Sequence, residues 1–164
     1  MNSRDSVKTP IKIINELKQR YFKFEAYYDP TPYVKVFDKN KHKNGLKTAW
    51  LSPSYCNPPY SRAAFFVEKA WKEYKKGIKS ILLVKNSVLS TKKFTEVKDD
   101  CCILFFNSKI KFVGFSQPAH FSSVLIMFGF GKKDTFNVFE YWKSAKKILS
   151  TGVLNYRFII CHIK

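Results

Sequence analysis

The sequence predicts an α/β domain with a largely parallel central sheet, helices on both faces and an antiparallel hairpin at one edge. Three observations predict it. Ala63, Phe66, Val67, Ala70, Trp71 and Tyr74 recur at steps of three and four, opposite Glu68, Lys69, Lys72, Glu73, Lys75 and Lys76. That is the pattern of an amphipathic helix. The apolar run 78–84 follows directly after Gly77 and reads as a compact central strand of a parallel sheet. Residues 101–106 and 110–115 flank the short turn Asn107-Ser108-Lys109 and read as the hairpin.

Taken in order, residues 1–8 form a loose basic lead. Thr9 suits a helix N-cap and Pro10 a first helical position. Ile13, Ile14, Leu17 and Tyr21 then repeat at helical spacing. Residues 22–28 are aromatic and alternating, which predicts a strand ending at Asp29. Residues 33–37 alternate again and predict a second strand ending at Asp38. The polar run 38–45, with Lys39, Lys41, His42 and Lys43, reads as an exposed loop able to touch phosphates. Ser61 is placed to cap the helix that starts near Ala63, and Gly77 ends that helix. Residues 85–100 are polar and basic and predict a mobile loop, with Lys92 and Lys93 facing a substrate.

In the predicted hairpin Lys109 and Lys111 alternate with Ile110 and Phe112, so two cations share a face. His120 reads as a surface histidine. Residues 122–130 predict a further apolar strand. Past Gly131, Val138, Tyr141, Trp142, Ala145, Ile148 and Leu149 predict a helix, and 155–163 a last strand. This C-terminal helix–strand unit offers a surface for a protein partner.

The chain has 164 residues, which fits one domain over 1–164, and 45% hydrophobic residues give it a sizeable core. Its net charge of +18 points to a polyanionic partner, with nucleic acid first. Cys56, Cys101, Cys102 and Cys161 form no C-x-x-C pair and no Cys/His cluster, so no metal site is expected. Free thiols among apolar neighbours fit a reducing intracellular compartment, the cytoplasm or nucleus of a host cell, or association with a virion. No apolar run is long enough to span a membrane.

The chemistry centres on Asn57-Pro58-Pro59-Tyr60. Two prolines fix their own φ and bias the residue before them away from helix. Asn57 therefore presents its amide from a stiff backbone, and Tyr60 offers a flat ring beside it. A conjugated exocyclic amine has a poorly available lone pair. Two acceptors at its hydrogens, the Asn57 side-chain oxygen and the Pro58 carbonyl, favour a tetrahedral nitrogen and stabilise its developing charge. Tyr60 can stack on the ring that carries it.

Asn-Pro-Pro-Tyr is the catalytic tetrapeptide of amino methyltransferases that use S-adenosylmethionine. With Thr9-Pro10, Asp29-Pro30, Gly45-Leu46, Trp50, Ser61, Lys69-Ala70, Gly77 and the Lys109-Ile110-Lys111-Phe112 segment, the chain resembles the phage-type, Dam-like DNA N6-adenine methyltransferases. The resemblance covers residues 8–130 and leaves 131–164 as a C-terminal extension. It implies a Rossmann-like class I methyltransferase sheet. It also implies methyl transfer to adenine N6 in DNA, with Asn57, Pro58, Pro59 and Tyr60 as the catalytic set. S-adenosylmethionine would meet Thr9, Pro10, Asp29 and Asp38. Lys41, Lys43, Lys92, Lys93, Lys109 and Lys111 would hold the nucleic acid.

The chain departs from the family's pattern in three places, one being the short stretch between Asp29 and Asn57, which leaves little room for a full donor-binding half. Thr31-Pro32-Tyr33 stands where a glycine-rich donor loop is usual, so Pro32 and Tyr33 would narrow the pocket. Asn44 stands before Gly45-Leu46 where the family tends to carry an acid. A basic nucleic-acid-binding or viral assembly protein that kept the fold without activity is therefore the rival reading. An enzyme acting on RNA adenine, cytosine N4 or a protein glutamine amide is the other.

Overall fold

The computed structural model describes residue 5 and residues 7–23, 25–34, 44–106 and 108–130, with the backbone of a strand at 156–158. Asp38, Lys41, Lys43 and the predicted helix after Gly131 lie outside the described residues.

Among the described residues five strands form one open mixed sheet: β1 Ser54–Cys56, β2 Ser80–Lys85, β3 Cys101–Phe106, β4 Ser123–Phe128 and β5 Tyr156–Phe158. Their order across the sheet is β1-β2-β4-β3-β5. Tyr28 extends the β1 edge through a single parallel bridge to Ser54. Among the described residues only the β1–β2 pair of strands is parallel; β2–β4, β4–β3 and β3–β5 are antiparallel. This corrects the expectation of a largely parallel sheet. The cause lies in where the last buried strand inserts. The segment after β2 returns the chain so that β3 runs in the direction of β2, but one strand-width away. β4 comes back in the opposite direction and fills the gap, pairing along its whole length with β2. All six of its residues are buried. Its unbroken apolar run marked it as interior but carried no information about direction.

Side chains alternate between two core layers, as the pleat requires. Cys56, Leu82, Val84, Ile103, Val124 and Ile126 pack against Phe66, Val67 and Ala70 of α2 (Ala63–Tyr74). Tyr55, Ile81, Leu83, Leu104, Leu125 and Met127 pack on the other face with Ile13, Ile14 and Leu17 of α1 (Ile11–Arg20). Helices therefore cover both faces.

Four local readings change. Pro10, not Thr9, is the residue before the first turn of α1, and no side chain caps that end. Ser61 lies inside the 3-10 turn Tyr60–Arg62 that leads into α2, and Arg62 is the residue before the helix. Among the described residues of 22–28 there is no strand beyond the Tyr28 bridge, because Lys23 turns the chain at φ 48 and Phe22 drops into the core. The predicted hairpin is absent: β3 pairs with β4 and β5, and residues 110–115 carry only an isolated bridge from Val113 to Lys8. The alternation there is real, with Ile110 and Phe112 buried and Lys109, Lys111 and Val113 exposed, but it has no ladder partner.

The polar segment 86–100 is not an open loop. It folds as two 3-10 turns around the short helix α3 (Lys92–Thr95), which Thr91 caps by accepting a hydrogen bond from the Phe94 amide. Val88, Phe94 and Val97 anchor it to the α2 side of the core.

One close approach fixes the loop before β1. A Cβ built on Gly45 would lie 2.2 Å from the Pro30 carbonyl oxygen, which is backbone and cannot swing away. Gly45→Ala is expected to cost about 1–3 kcal/mol, the usual range for forced overpacking. A thermal melt unchanged from wild type would contradict this contact.

Candidate active site

The tetrapeptide leaves the sheet at the C-terminal end of β1. Proline at 58 and 59 gives the chain no amide hydrogen there, so the ladder with β2 stops at Cys56–Leu82. Asn57 is 8% exposed. Its Nδ2 donates to the Val7 carbonyl at 2.7 Å and to Thr9 Oγ1 at 3.0 Å. A carbonyl oxygen can only accept, so the amino end of the amide must face Val7. Both amide hydrogens are thereby used, and Oδ1 is left as an acceptor with no partner among the described residues. The Pro58 carbonyl likewise takes no hydrogen bond there. Thr9 Oγ1 also hydrogen-bonds the Tyr55 hydroxyl at 2.7 Å. Val7 and Thr9 thus orient the amide of the motif.

Asp5 holds the other end of the tetrapeptide. Its carbonyl accepts from the Tyr60 amide at 2.9 Å, and its carboxylate accepts from the Ser61 amide at 2.8 Å and from the Ser61 hydroxyl. The Tyr60 ring meets Phe121 edge-to-face at 5.1 Å and Phe112 at 6.5 Å. Burial, then the Asp5 charge, pushes the Tyr60 phenol well above its ordinary range. Its hydroxyl is buried without a partner among the described residues.

Asp29 follows Tyr28, which accepts from the Tyr55 amide and donates to the Pro53 carbonyl, both at 2.9 Å. Because Tyr28 lies parallel to β1, Asp29 emerges at the same sheet edge as Asn57. Its carboxylate accepts from the Thr31 amide at 2.8 Å and from the Thr31 hydroxyl at 3.3 Å. Burial outweighs those two bonds and raises the Asp29 carboxyl to about 6. Thr31 Oγ1 also lies 3.4 Å from Cys56 Sγ, and burial holds that thiol well above its ordinary range. Pro32 and Tyr33, expected to narrow the pocket, are both exposed, Tyr33 by half. Asn44 has a structural use: its Oδ1 accepts from the Leu46 amide at 3.0 Å and shapes the turn that presents Gly45.

The structure brings Thr9, Asn57 and Tyr55 into one hydrogen-bonded group and sets Asp29 and Pro10 beside them in the chain path. It does not treat the candidate lysines alike. Lys93 pairs with Glu68 and lies 4.7 Å over the Phe65 ring, so it has a structural role in joining α3 to α2. Lys92, Lys109 and Lys111 are exposed. Four participants were not foreseen: Asp5, Val7, Lys85 and Phe121. Lys85 had a local signal, since it is the one cation closing the apolar run of β2. The others are joined to Tyr60 or Asn57 by contacts far apart in sequence. Among the described residues no three His, Cys, Asp or Glu side chains come together as a metal group, and no helix is long and apolar enough to cross a membrane.

The model of the family described as DNA N-6-adenine-methyltransferase (Dam) matches residues 1–151. The chain belongs to this family. The match is longer than the 8–130 read from the sequence, and it takes in both Asp5 and the predicted helix after Gly131. No curated protein and no solved structure matches this Dam-family chain.

Proposed function

We propose that the protein transfers a methyl group from S-adenosylmethionine to the N6 amine of adenine in DNA. The single observation that carries this reading is the orientation of Asn57. With Nδ2 committed to Val7 and Thr9, Oδ1 is left as an acceptor, one residue before the Pro58 carbonyl, which takes no hydrogen bond among the described residues. Two acceptors from consecutive residues suit the two hydrogens of an amino group and would draw its lone pair out of conjugation. The proposed catalytic set is Asn57, Pro58, Pro59 and Tyr60, with the Tyr60 ring as the stacking surface for the base.

S-adenosylmethionine supplies a methyl group on a sulfonium, a leaving group already activated, so no strong base is required of the chain. Asp29 suits the ammonium of its methionine part, because among the described residues its carboxylate accepts hydrogen bonds from Thr31 alone. Thr9, Pro10 and Asp38 complete the proposed donor set. A Rossmann-like ancestry fits ligands meeting the chain at the carboxyl ends of the strands. The exposed Lys92, Lys109 and Lys111, with Lys41 and Lys43, are proposed to hold DNA by salt-sensitive phosphate contacts. The compartment proposed is intracellular and reducing, in keeping with the free, buried thiol of Cys56.

Methyl-label transfer to DNA, RNA and protein measured side by side tests the reading. Label on RNA or protein alone would move the substrate, and DNA binding with no donor binding would favour the inactive rival. Asp29 gives a second handle. Its carboxyl is raised to about 6, so it is mostly ionised at pH 7 and mostly neutral at pH 5. Donor affinity by calorimetry is expected to weaken about tenfold between pH 7 and pH 5, as the charged fraction falls. Asp29→Asn should flatten that dependence, and an equally steep profile in the variant would exclude Asp29 from the donor site.

A further inference from the structure

We propose that Lys85 is a two-position residue. In the free protein its ammonium shields the stacking face of Tyr60, and when the target base enters it moves to a phosphate of the bound strand. The proposal rests on the reading of Asn57 to Tyr60 as the base site.

Lys85 is the last residue of β2 and lies opposite Ser123 of β4. β2 is parallel to β1, so Lys85 leaves the sheet at the edge where Asn57 emerges. Its Nζ sits 4.1 Å from the Tyr60 ring centroid and 4.3 Å from that of Phe121. One ammonium thus covers two rings that meet edge-to-face at 5.1 Å. Lys69 and Lys93, also only partly exposed, each pair with a glutamate. Lys85 pairs with no carboxylate among the described residues, and the two ring faces hold its charge.

A ring face attracts a cation through its quadrupole. A stacked base needs that same face, at roughly the van der Waals separation of about 3.5 Å. Ammonium and base cannot both occupy it. The displaced ammonium needs an anion, and the phosphodiester flanking the target nucleotide arrives with the base. Lys85 would therefore exclude water and stray aromatic groups from Tyr60 until a nucleotide carrying its phosphate replaces it.

Two neutral variants, Lys85→Met and Lys85→Gln, and the charge-preserving Lys85→Arg test this, with folding of each checked by thermal melting. The probes are adenosine, which has the base without a phosphate, and a single-stranded oligonucleotide with one adenine. The donor site is filled by S-adenosylhomocysteine throughout. A folded neutral variant is expected to bind adenosine about two- to fivefold tighter than wild type, since the competing cation is gone. Its oligonucleotide affinity should depend less on salt, the log–log slope falling by about 0.7, while Lys85→Arg keeps the wild-type slope. An unchanged adenosine affinity, or an unchanged slope, overturns the proposal. Asn57→Ala separates this from failure of the underlying reading. If it leaves wild-type adenosine binding intact, the base does not bind at Asn57 and both fall. If it abolishes that binding while the Lys85 variants are silent, only the role of Lys85 falls.

Discussion

Replacing Asn57 by alanine is expected to lower methyl transfer to DNA about 10²- to 10³-fold, the usual loss when one preorganised polar contact to a developing charge is removed. The same change strips the Val7 carbonyl and Thr9 Oγ1 of their donor. A fold defect of about 1–3 kcal/mol should therefore accompany it. Activity loss alone would not distinguish a catalytic amide from a structural one.

Asn57→Asp separates them. Aspartate keeps an oxygen at the Oδ1 position but places a second oxygen against the Val7 carbonyl, where a donor is needed. Stability should fall about as far as in the alanine variant. Methyl transfer, measured below the melting transition, should stay within about tenfold of wild type, because the acceptor survives. If both variants lose transfer equally while both are folded, Asn57 acts through its amino end and the acceptor role is excluded.

The elements that could be read from sequence were those whose pattern and packing agree. α2 shows a clean apolar stripe, and Phe66, Val67 and Ala70 on that stripe are buried. β2 and β4 are short apolar runs, and both lie inside the sheet. Strand direction was not legible, because an apolar run buried on both faces looks the same either way. Periodicity misled where a chain alternates without a partner, as at Ile110 and Phe112. Polarity misled at 86–100, where Val88, Phe94 and Val97 are spaced among charged residues on turns too short to form a stripe. In the site, the tetrapeptide announced itself through its prolines. The side chains that orient it did not: Asp5, Val7 and Thr9 come to it across about fifty residues, and no local rule records such a contact. The same holds for Phe121 beside Tyr60.

Glu73→Leu is expected to cost about 3 kcal/mol, as when one partner of a buried ion pair is removed. Glu73 is 1% exposed on α2. Its carboxylate accepts from Lys69 Nζ at 2.6 Å, from Lys76 Nζ at 3.1 Å and from the Trp50 amide at 3.4 Å. Trp50 in turn donates from Nε1 to the Gly45 carbonyl at 2.8 Å, and Gly45 presses on Pro30. A line of contacts therefore runs from α2 to the turn that carries Asp29. Leucine would leave Lys69 and the Trp50 amide without their acceptor. The more exposed pairs of Glu68 with Lys72 and Lys93 give the comparison: Glu68→Ala should cost under about 1 kcal/mol. Urea midpoints measure both, and equal losses would mean that burial of Glu73 adds nothing. The pH dependence carries a sign as well. Burial alone would raise the Glu73 carboxyl, but the bonds from Lys69, Lys76 and Trp50 hold it below its ordinary value. Its contribution is thus complete above the ordinary glutamate range and is lost as pH falls through the lower folded value. Asp29, raised to about 6, works the other way: its contribution is complete below the ordinary aspartate range and is lost as pH rises through about 6. Glu73→Leu should therefore flatten the acid side of the stability profile, and Asp29→Asn the rise in stability from neutral pH toward pH 5.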